Sequence, residues 1–285
     1  MNCIESVFDI SEKFMEDPSY VYINYDKINE VVSLISQSNF KKFEPAPIDL
    51  TEDEIEKECY LQLLGGSINY CYWVGKHNIR PNDCDSGKMF DVITKTTEEH
   101  DMYSDEFMYA LQWKFAKERF PLLEERLKHI DEVFNYGRDF IDVLINNTDT
   151  DVASLMEYLI RMLPGYASDM FLKRASLFFL MMYRKFGWFE KDLHSLHIPA
   201  DYQVPKMFHF FGCFTYHPEL YKKIDKSELI AKGSLMECEI RAATIIVAKK
   251  LCEITGWNVS DVDAWFWLRR RKCDRPFHLT VTTDY

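Results

Sequence analysis

The stretch PLLEERLKHIDEVFNYGRDFIDVLINN, residues 121–147, decides the fold class. Leu123, Leu127, Ile130, Phe134, Ile141 and Leu144 recur in it at mixed three- and four-residue steps. Such steps stack apolar side chains on one face of an α-helix, whereas a strand would need strict alternation. The pattern predicts a long helix starting at Pro121, a residue suited to the first helical position. Similar signals recur on both sides. Thr51-Glu52-Asp53-Glu54 has the form of a capping box ahead of Ile55, Cys59, Leu63 and Leu64. Leu155 to Trp188 reads as two helices broken at Pro164-Gly165. Ser234-Leu235-Met236-Glu237 opens a further helix with Ile240, Ala243, Val247, Ala248 and Leu251 on one face, stopped by Gly256. Strand signals are short: YVYINY at 20–25, and a small hairpin around Pro81-Asn82-Asp83 between Tyr72 and Asp91. The expectation is a mainly α, compact helical fold with a minor β element. One body of residues 1–285 is expected, with a small N-terminal α+β part (about 1–100) packed on a helical part (about 101–285). The polar run NNTDTD, 146–151, reads as an interhelical loop.

Composition narrows the partners. The 285 residues are 47% hydrophobic and 15% aromatic, enough for a substantial core, and carry a formal charge of −12. A nucleic-acid binder needs a basic stripe to neutralise phosphates. The one dense basic run, Arg269-Arg270-Arg271-Lys272, follows DVDAWFWL and reads as a helix C-terminus, where cations complement the dipole. A small-molecule ligand is expected, without direct nucleic-acid or membrane binding. No apolar run approaches membrane-span length, and MNCIESVFDISEKF lacks the layout of a signal peptide. The eight cysteines (3, 59, 71, 84, 213, 238, 252, 273) form no CxxC pair, so reduced thiols and a cytoplasmic setting are expected.

Local motifs stop short of a reaction. In ADYQVP, 200–205, Asp201 suits turn chemistry ahead of a helix whose first position takes Pro205. Asp261 and Asp263, after Asn258 and Ser260, suit a helix first turn. His194-Ser-Leu-His197 would align two imidazoles on a helix, but further ligands at sensible spacing are lacking, so no metal is expected. No other cofactor is expected either: Walker, GxGxxG and GxSxG patterns are absent, and Gly65-Gly66 is too little for a phosphate cradle. INYCYW, 68–73, reads as core packing or as a stacking wall for a flat heterocycle. Lys173-Arg174 reads as a solvated edge of an apolar helix.

The motifs taken in order, however, resemble the queuosine salvage family, the queuosine 5′-phosphate N-glycosylases/hydrolases. INYCYW (68–73) looks like its Leu-Asn-Phe-Ser-Phe-Trp, and PLLEER (121–126) like its Pro-Leu-x-Glu-Glu-Arg. FLKRAS (171–176) is similar to Phe-Tyr-Lys-Arg-Ala-Gln, and ADYQVPKMFHFFG (200–212) to Ala-Asp-Tyr-Arg-Val-Pro-Gln and the stretch after it. ECEIRAAT (237–244), NVSDVDAWFW (258–267) and PFHLTVTTDY (276–285) complete the order. The resemblance runs from about Asn39 to Tyr285 and is densest beyond residue 170.

It implies a fold like that of helical DNA glycosylases, and hydrolysis of the N-glycosidic bond of queuosine 5′-phosphate, releasing queuine for reinsertion into tRNA. It places Asp201 on the family's catalytic carboxylate and Asp263 on an acid that holds the base. Pro199, Tyr202, Asn69, Tyr70 and Trp73 are the expected pocket neighbours, with Lys173 toward the 5′-phosphate. Phe43 stands where the family usually has His, Pro199 where it commonly has Phe, Gln203 where it has Arg, and Leu268 where it often has Asp. Phe43 and Leu268 are expected at the pocket's outer rim. These departures keep two alternatives open: an N-ribosidase for another nucleotide or nucleoside, and a catalytically silent relative that binds queuine or a partner.

Overall fold

The structure is a computed structural model and describes residues 1–45 and 48–285. Among these residues the chain runs α1 (Cys3–Glu16), β1 (Val21–Ile23), α2 (Tyr25–Gln37), α3 (Glu52–Ile68), α4 (Ser86–Glu99), α5 (Asp105–Glu118), α6 (Leu123–Ile145) and α7 (Val152–Met162). It continues through α8 (Lys173–Phe186), α9 (Gln203–Phe210), β2 (Phe214–Tyr216), α10 (Pro218–Asp225), α11 (Leu235–Thr255) and α12 (Val259–Arg269). The protein is thus mainly α with a minor β element, and no helix among the described residues is long and apolar enough to cross a membrane.

The helix over residues 121–147 starts two residues late, at Leu123. Leu122 takes a left-handed conformation (φ 52°), and the Arg126 guanidinium reaches back to the Pro121 carbonyl at 2.7 Å. Its buried face carries Ile130, Val133, Gly137, Phe140, Ile141 and Leu144 and packs on α3, which in turn packs on α8. The break at Pro164-Gly165 and the Gly256 stop both stand where the sequence places them. The hairpin expected between Tyr72 and Asp91 reduces to one bridge, Val74 with Ile79. From Ser86 the chain is helical instead: Asp85 accepts from the Lys88 N–H at 2.8 Å, and Met89, Val92, Ile93 and Thr96 share a buried face. Helical spacing outweighs the turn signal there.

YVYINY supplies a strand of only three residues, Val21 pairing with Tyr216, Tyr22 with Thr215 and Ile23 with Phe214 in antiparallel register. A charged side chain holds it in place. The Glu239 carboxylate, fully buried on α11, accepts the backbone N–H groups of Ser19 (2.9 Å), Tyr20 (2.6 Å) and Val21 (3.0 Å). A buried carboxylate is tolerated only with such partners. Helix α11 is buried nearly all round and meets α1, α2, β1, α9 and α12.

Gly65 and Gly66 lie inside α3 and serve close approach. A Cβ on Gly65 would lie 2.4 Å from the Phe90 ring, and one on Gly66 would lie 2.9 Å from the Tyr166 hydroxyl, which donates to the Leu63 carbonyl at 2.6 Å. Alanine in a helix interior gains up to about 1 kcal/mol over glycine, whereas overpacking a buried contact costs ~1–3 kcal/mol. The clash should win at Gly66. Gly66→Ala is expected to lower unfolding free energy by ~1 kcal/mol in urea titration, and an unchanged or raised midpoint would show that Tyr166 yields freely.

Candidate active site

Two helical faces and one tight turn build the principal cavity, of about 650 Å³. Lys173, Leu177, Met181 and Arg184 follow one another along α8 at steps of four, four and three, and all line it. Asp263, Trp267 and Arg270 do the same along α12 and the short turn after it. Between them enters the strap Pro199–Gln203, turned sharply where the Asp201 N–H donates to the Pro199 carbonyl at 2.9 Å. Asn69, Tyr70 and Tyr72, beyond the end of α3, and Phe90 of α4 close the other side.

Asp201 is both a turn residue and a cavity carboxylate. Its Oδ1 accepts the N–H groups of Gln203 (2.7 Å) and Val204 (3.1 Å), opening α9, while Oδ2 makes no hydrogen bond among the described residues. Burial raises the pKa of the carboxyl, opposed by the Lys173 ammonium and by the two backbone donors. Lys173 is itself buried; among the described residues its Nζ reaches only the Asn69 carbonyl, at 3.5 Å. Burial pushes its pKa down to about 8, the Asp201 charge pulls it back up, and Arg174 and Arg241 add to the fall.

Asp263, on α12, lines the same cavity, and its charge adds to the rise of the Asp201 pKa. One oxygen takes the Arg184 guanidinium at 2.8 Å, and Arg184 is steadied by Ser260 through its hydroxyl (3.0 Å) and carbonyl (3.1 Å). Oδ1 of Asp263 makes no hydrogen bond among the described residues. Five cations line the cavity (Arg80, Lys173, Arg184, Arg270, Arg271) against three carboxylates (Asp85, Asp201, Asp263). Among the described residues only Arg184 of these five has a carboxylate of the cavity within 4.0 Å. In a chain of net charge −12, this lining is locally positive, a field that attracts anions.

Buried arginines hold the walls. Arg126 donates to the carbonyls of Pro121, Ile68, Tyr70 (2.5 Å) and Cys71 (2.8 Å), fixing the turn that presents Asn69 and Tyr70. Arg174 donates to the Ser67 and Gly165 carbonyls. Lys173 and Arg174 are therefore buried, not a solvated helix edge.

The structure brings Asp201, Asp263, Pro199, Tyr202, Asn69, Tyr70 and Lys173 to the cavity wall. Trp73 stands behind it, its ring edge-on to Tyr202 at 4.9 Å. Phe43 packs edge-on against Tyr183 at 5.4 Å, its N–H donating to Asp261 at 3.1 Å, and does not line the cavity. Leu268 points outward, 58% exposed, while its neighbour Trp267 lines the mouth. The residues of HSLH do not share a helix: His194 is exposed and His197 buried, both beside a separate cavity of about 430 Å³ between α1 and α11. Among the described residues, no group of three metal-ligating side chains converges.

The comparisons bear on this constellation. The family model for queuosine salvage proteins matches residues 62–282, which contain both acids, Lys173 and nearly all of the cavity wall. The chain belongs to the queuosine salvage protein family. It is 26% identical over 200 residues to a Mus musculus protein named queuosine 5′-phosphate N-glycosylase/hydrolase, covering 58% of this chain and 59% of that protein. A Dictyostelium discoideum protein of the same name is 25% identical over 265 residues, covering 78% and 77%. One from Sphaerobacter thermophilus is 30% identical over 191 residues, covering 58% of each. The match thus spans about three fifths of the mouse and Sphaerobacter proteins.

Residue reasoning missed Arg80, Arg184, Arg270 and Arg271 as part of this family member's cavity. For Arg184 the signal was present, since it lies three helical turns from Lys173 on the same face. Because Asp201 Oδ1 accepts the first two N–H groups of α9, as a capping side chain does, Asp201→Asn should keep stability within ~0.5 kcal/mol, whereas Asp201→Ala should cost ~0.5–2 kcal/mol. Equal losses in urea melts would show that the cap does not hold this turn.

Proposed function

We propose that this chain hydrolyses the N-glycosidic bond of queuosine 5′-phosphate and releases queuine for tRNA modification. The observation that carries the reading is a cation-lined cavity that Asp201 shares with Lys173 and Asp263, in which Asp201 Oδ2 makes no hydrogen bond among the described residues. The names of the relatives support the substrate.

Cleavage of a ribosidic bond passes through an oxocarbenium-like state. The bond between the anomeric carbon and the base nitrogen breaks, and its electron pair leaves on the base. Water then supplies hydroxide to the carbon and a proton to the base. Asp201 Oδ2 stabilises the developing cation, or bonds to it before water arrives, and a buried setting makes that charge count for more. Queuine is a 7-deazaguanine and lacks the ring nitrogen at which other purine leaving groups are protonated. The work falls on cation stabilisation and on holding the departing base. Asp263, oriented by Arg184, has Oδ1 available for the N1–H and 2-amino donors of a guanine-like edge. Tyr202, backed by Trp73, offers a ring face for the base beside Pro199 and Tyr70. Lys173 and the arginines of the lining suit the 5′-phosphate. The whole chain acts as one unit in the cytosol on a free nucleotide, without direct binding to nucleic acid.

The test is a product assay with queuosine 5′-phosphate, queuosine and common purine nucleotides side by side. Free queuine from the first substrate, lost in Asp201→Asn, is the expected result. Release from purine nucleotides instead would assign another N-ribosidase activity, and binding without turnover a silent relative.

Two quantities refine this. Lys173 carries its charge below about 8 and loses it above. kcat/KM for the phosphorylated substrate should therefore fall as pH rises through that value, while the raised Asp201 carboxyl places the acid limb above the ordinary carboxylate range. A flat profile from pH 7 to 9.5 would remove Lys173 from the phosphate. Lys173→Met should raise KM for queuosine 5′-phosphate roughly 10- to 100-fold and for queuosine much less, since a hydrogen bond to a charged group is worth ~1.5–3 kcal/mol. Equal effects on both substrates would place Lys173 away from the phosphate.

A further inference from the structure

We infer that Arg241 is a positioning residue: by gripping the Asp169 carboxylate and the Ala200 carbonyl together, it fixes the spacing between Lys173 and Asp201 across the cavity floor. The inference rests on the roles of Asp201 and Lys173 proposed above.

Arg241 lies on α11, fully buried, and does not line the cavity. Its two terminal nitrogens meet the two Asp169 oxygens at 2.7 and 2.6 Å, a bidentate pair. Its third nitrogen, Nε, donates to the Ala200 carbonyl at 3.0 Å, one residue before Asp201. The same Asp169 oxygens accept the N–H groups of Phe171 (3.0 Å) and Lys173 (2.8 Å), which sets where α8 begins. One rigid planar group thus holds both segments that carry the charged floor. A guanidinium presents its donors in a fixed fork, which an ammonium cannot reproduce. Glu237 one helical turn away (3.4 Å) and the Tyr285 ring stacked at 4.5 Å complete the seat. The charges facing Lys173 are Asp201 on the strap, Asp169 before α8, Arg174 on α8 and Arg241 on α11; Asp263 of α12 acts on Asp201.

The informative variant is Arg241→Lys, which keeps the charge and loses the fork; Asp169→Asn perturbs the same link from the other side. Activity on queuosine 5′-phosphate and the titration of the Lys173 Cε resonance in 13C-lysine-labelled protein are measured together. Both variants should lose kcat by on the order of a hundredfold, as a misplacement near 1 Å does, with KM within about threefold. Lys173 should titrate below its wild-type midpoint in Arg241→Lys, since Asp201 no longer stands at the distance that stabilises its charge. The inference is overturned if activity falls only in step with the folded fraction, or if Lys173 titrates as in wild type. Should wild type itself release no queuine, the proposed function fails, and the Lys173 titration still decides whether Arg241 sets the spacing.

Discussion

Three guanidinium groups that never reach water hold this structure's loops to one another. Arg126, Arg174 and Arg241 are each at most 1% exposed, and between them they bind carbonyls at Ile68, Tyr70, Cys71, Pro121, Ser67, Gly165 and Ala200. A buried backbone carbonyl outside a helix or sheet must find a donor from somewhere. A helical protein has few regular partners to offer its connecting segments, and arginine, with five donors, meets several carbonyls from one side chain. The irregular stretches 69–71 and 199–202 can therefore lie largely buried at the cavity, where loops are ordinarily excluded.

The arrangement also shapes the field. Arg126 and Arg174 sit over the Tyr70 ring at 4.4 and 5.3 Å, paired with carbonyls and not with acids. Their charge adds to that of Lys173, while Arg80, Arg270 and Arg271 line the same cavity. The acids are fewer and each has an assigned neighbour: Asp201 its own helix N-terminus, Asp263 Arg184, Asp85 the start of α4. An acidic protein thus keeps a positive cavity lining. Solvated carboxylates on its outer surface repel anions only weakly at physiological salt, since charges beyond about 8 Å are screened.

Much of this was legible in the sequence, but unevenly. The long runs at helical spacing made α6, α8 and α11 legible, since apolar side chains that pack on neighbouring elements repeat with the helix. The strand at 20–25 shrank to three residues because its stability comes from Glu239 and β2, more than 190 positions away, and no local pattern encodes such partners. ADYQVP was ambiguous for a physical reason: the geometry that makes Asp201 a good turn residue also leaves its second oxygen free. Local chemistry sees the first and is blind to the second. The basic run at 269–272 stands at the C-terminus of α12, as its position in the sequence predicts. That position does not reveal that Arg270 and Arg271 also line the cavity, because the local pattern carries no trace of the segments packed opposite. The ordered motifs located the acids through resemblance, whereas Arg184, lying between them in no quoted motif, was visible only as a helical stripe.

The Glu239 grip on Ser19, Tyr20 and Val21 has a consequence for how the chain matures. Those three N–H groups leave a ribosome some 220 residues before the carboxylate that receives them. Residues are added at about 5–20 per second, so the early segment waits on the order of ten seconds or more for its acceptor. Throughout that interval β1 lacks β2 as well, and α1 lacks its α11 neighbour. A segment made well before its partners is thus seated only late, and α11 is the element whose arrival ends the wait.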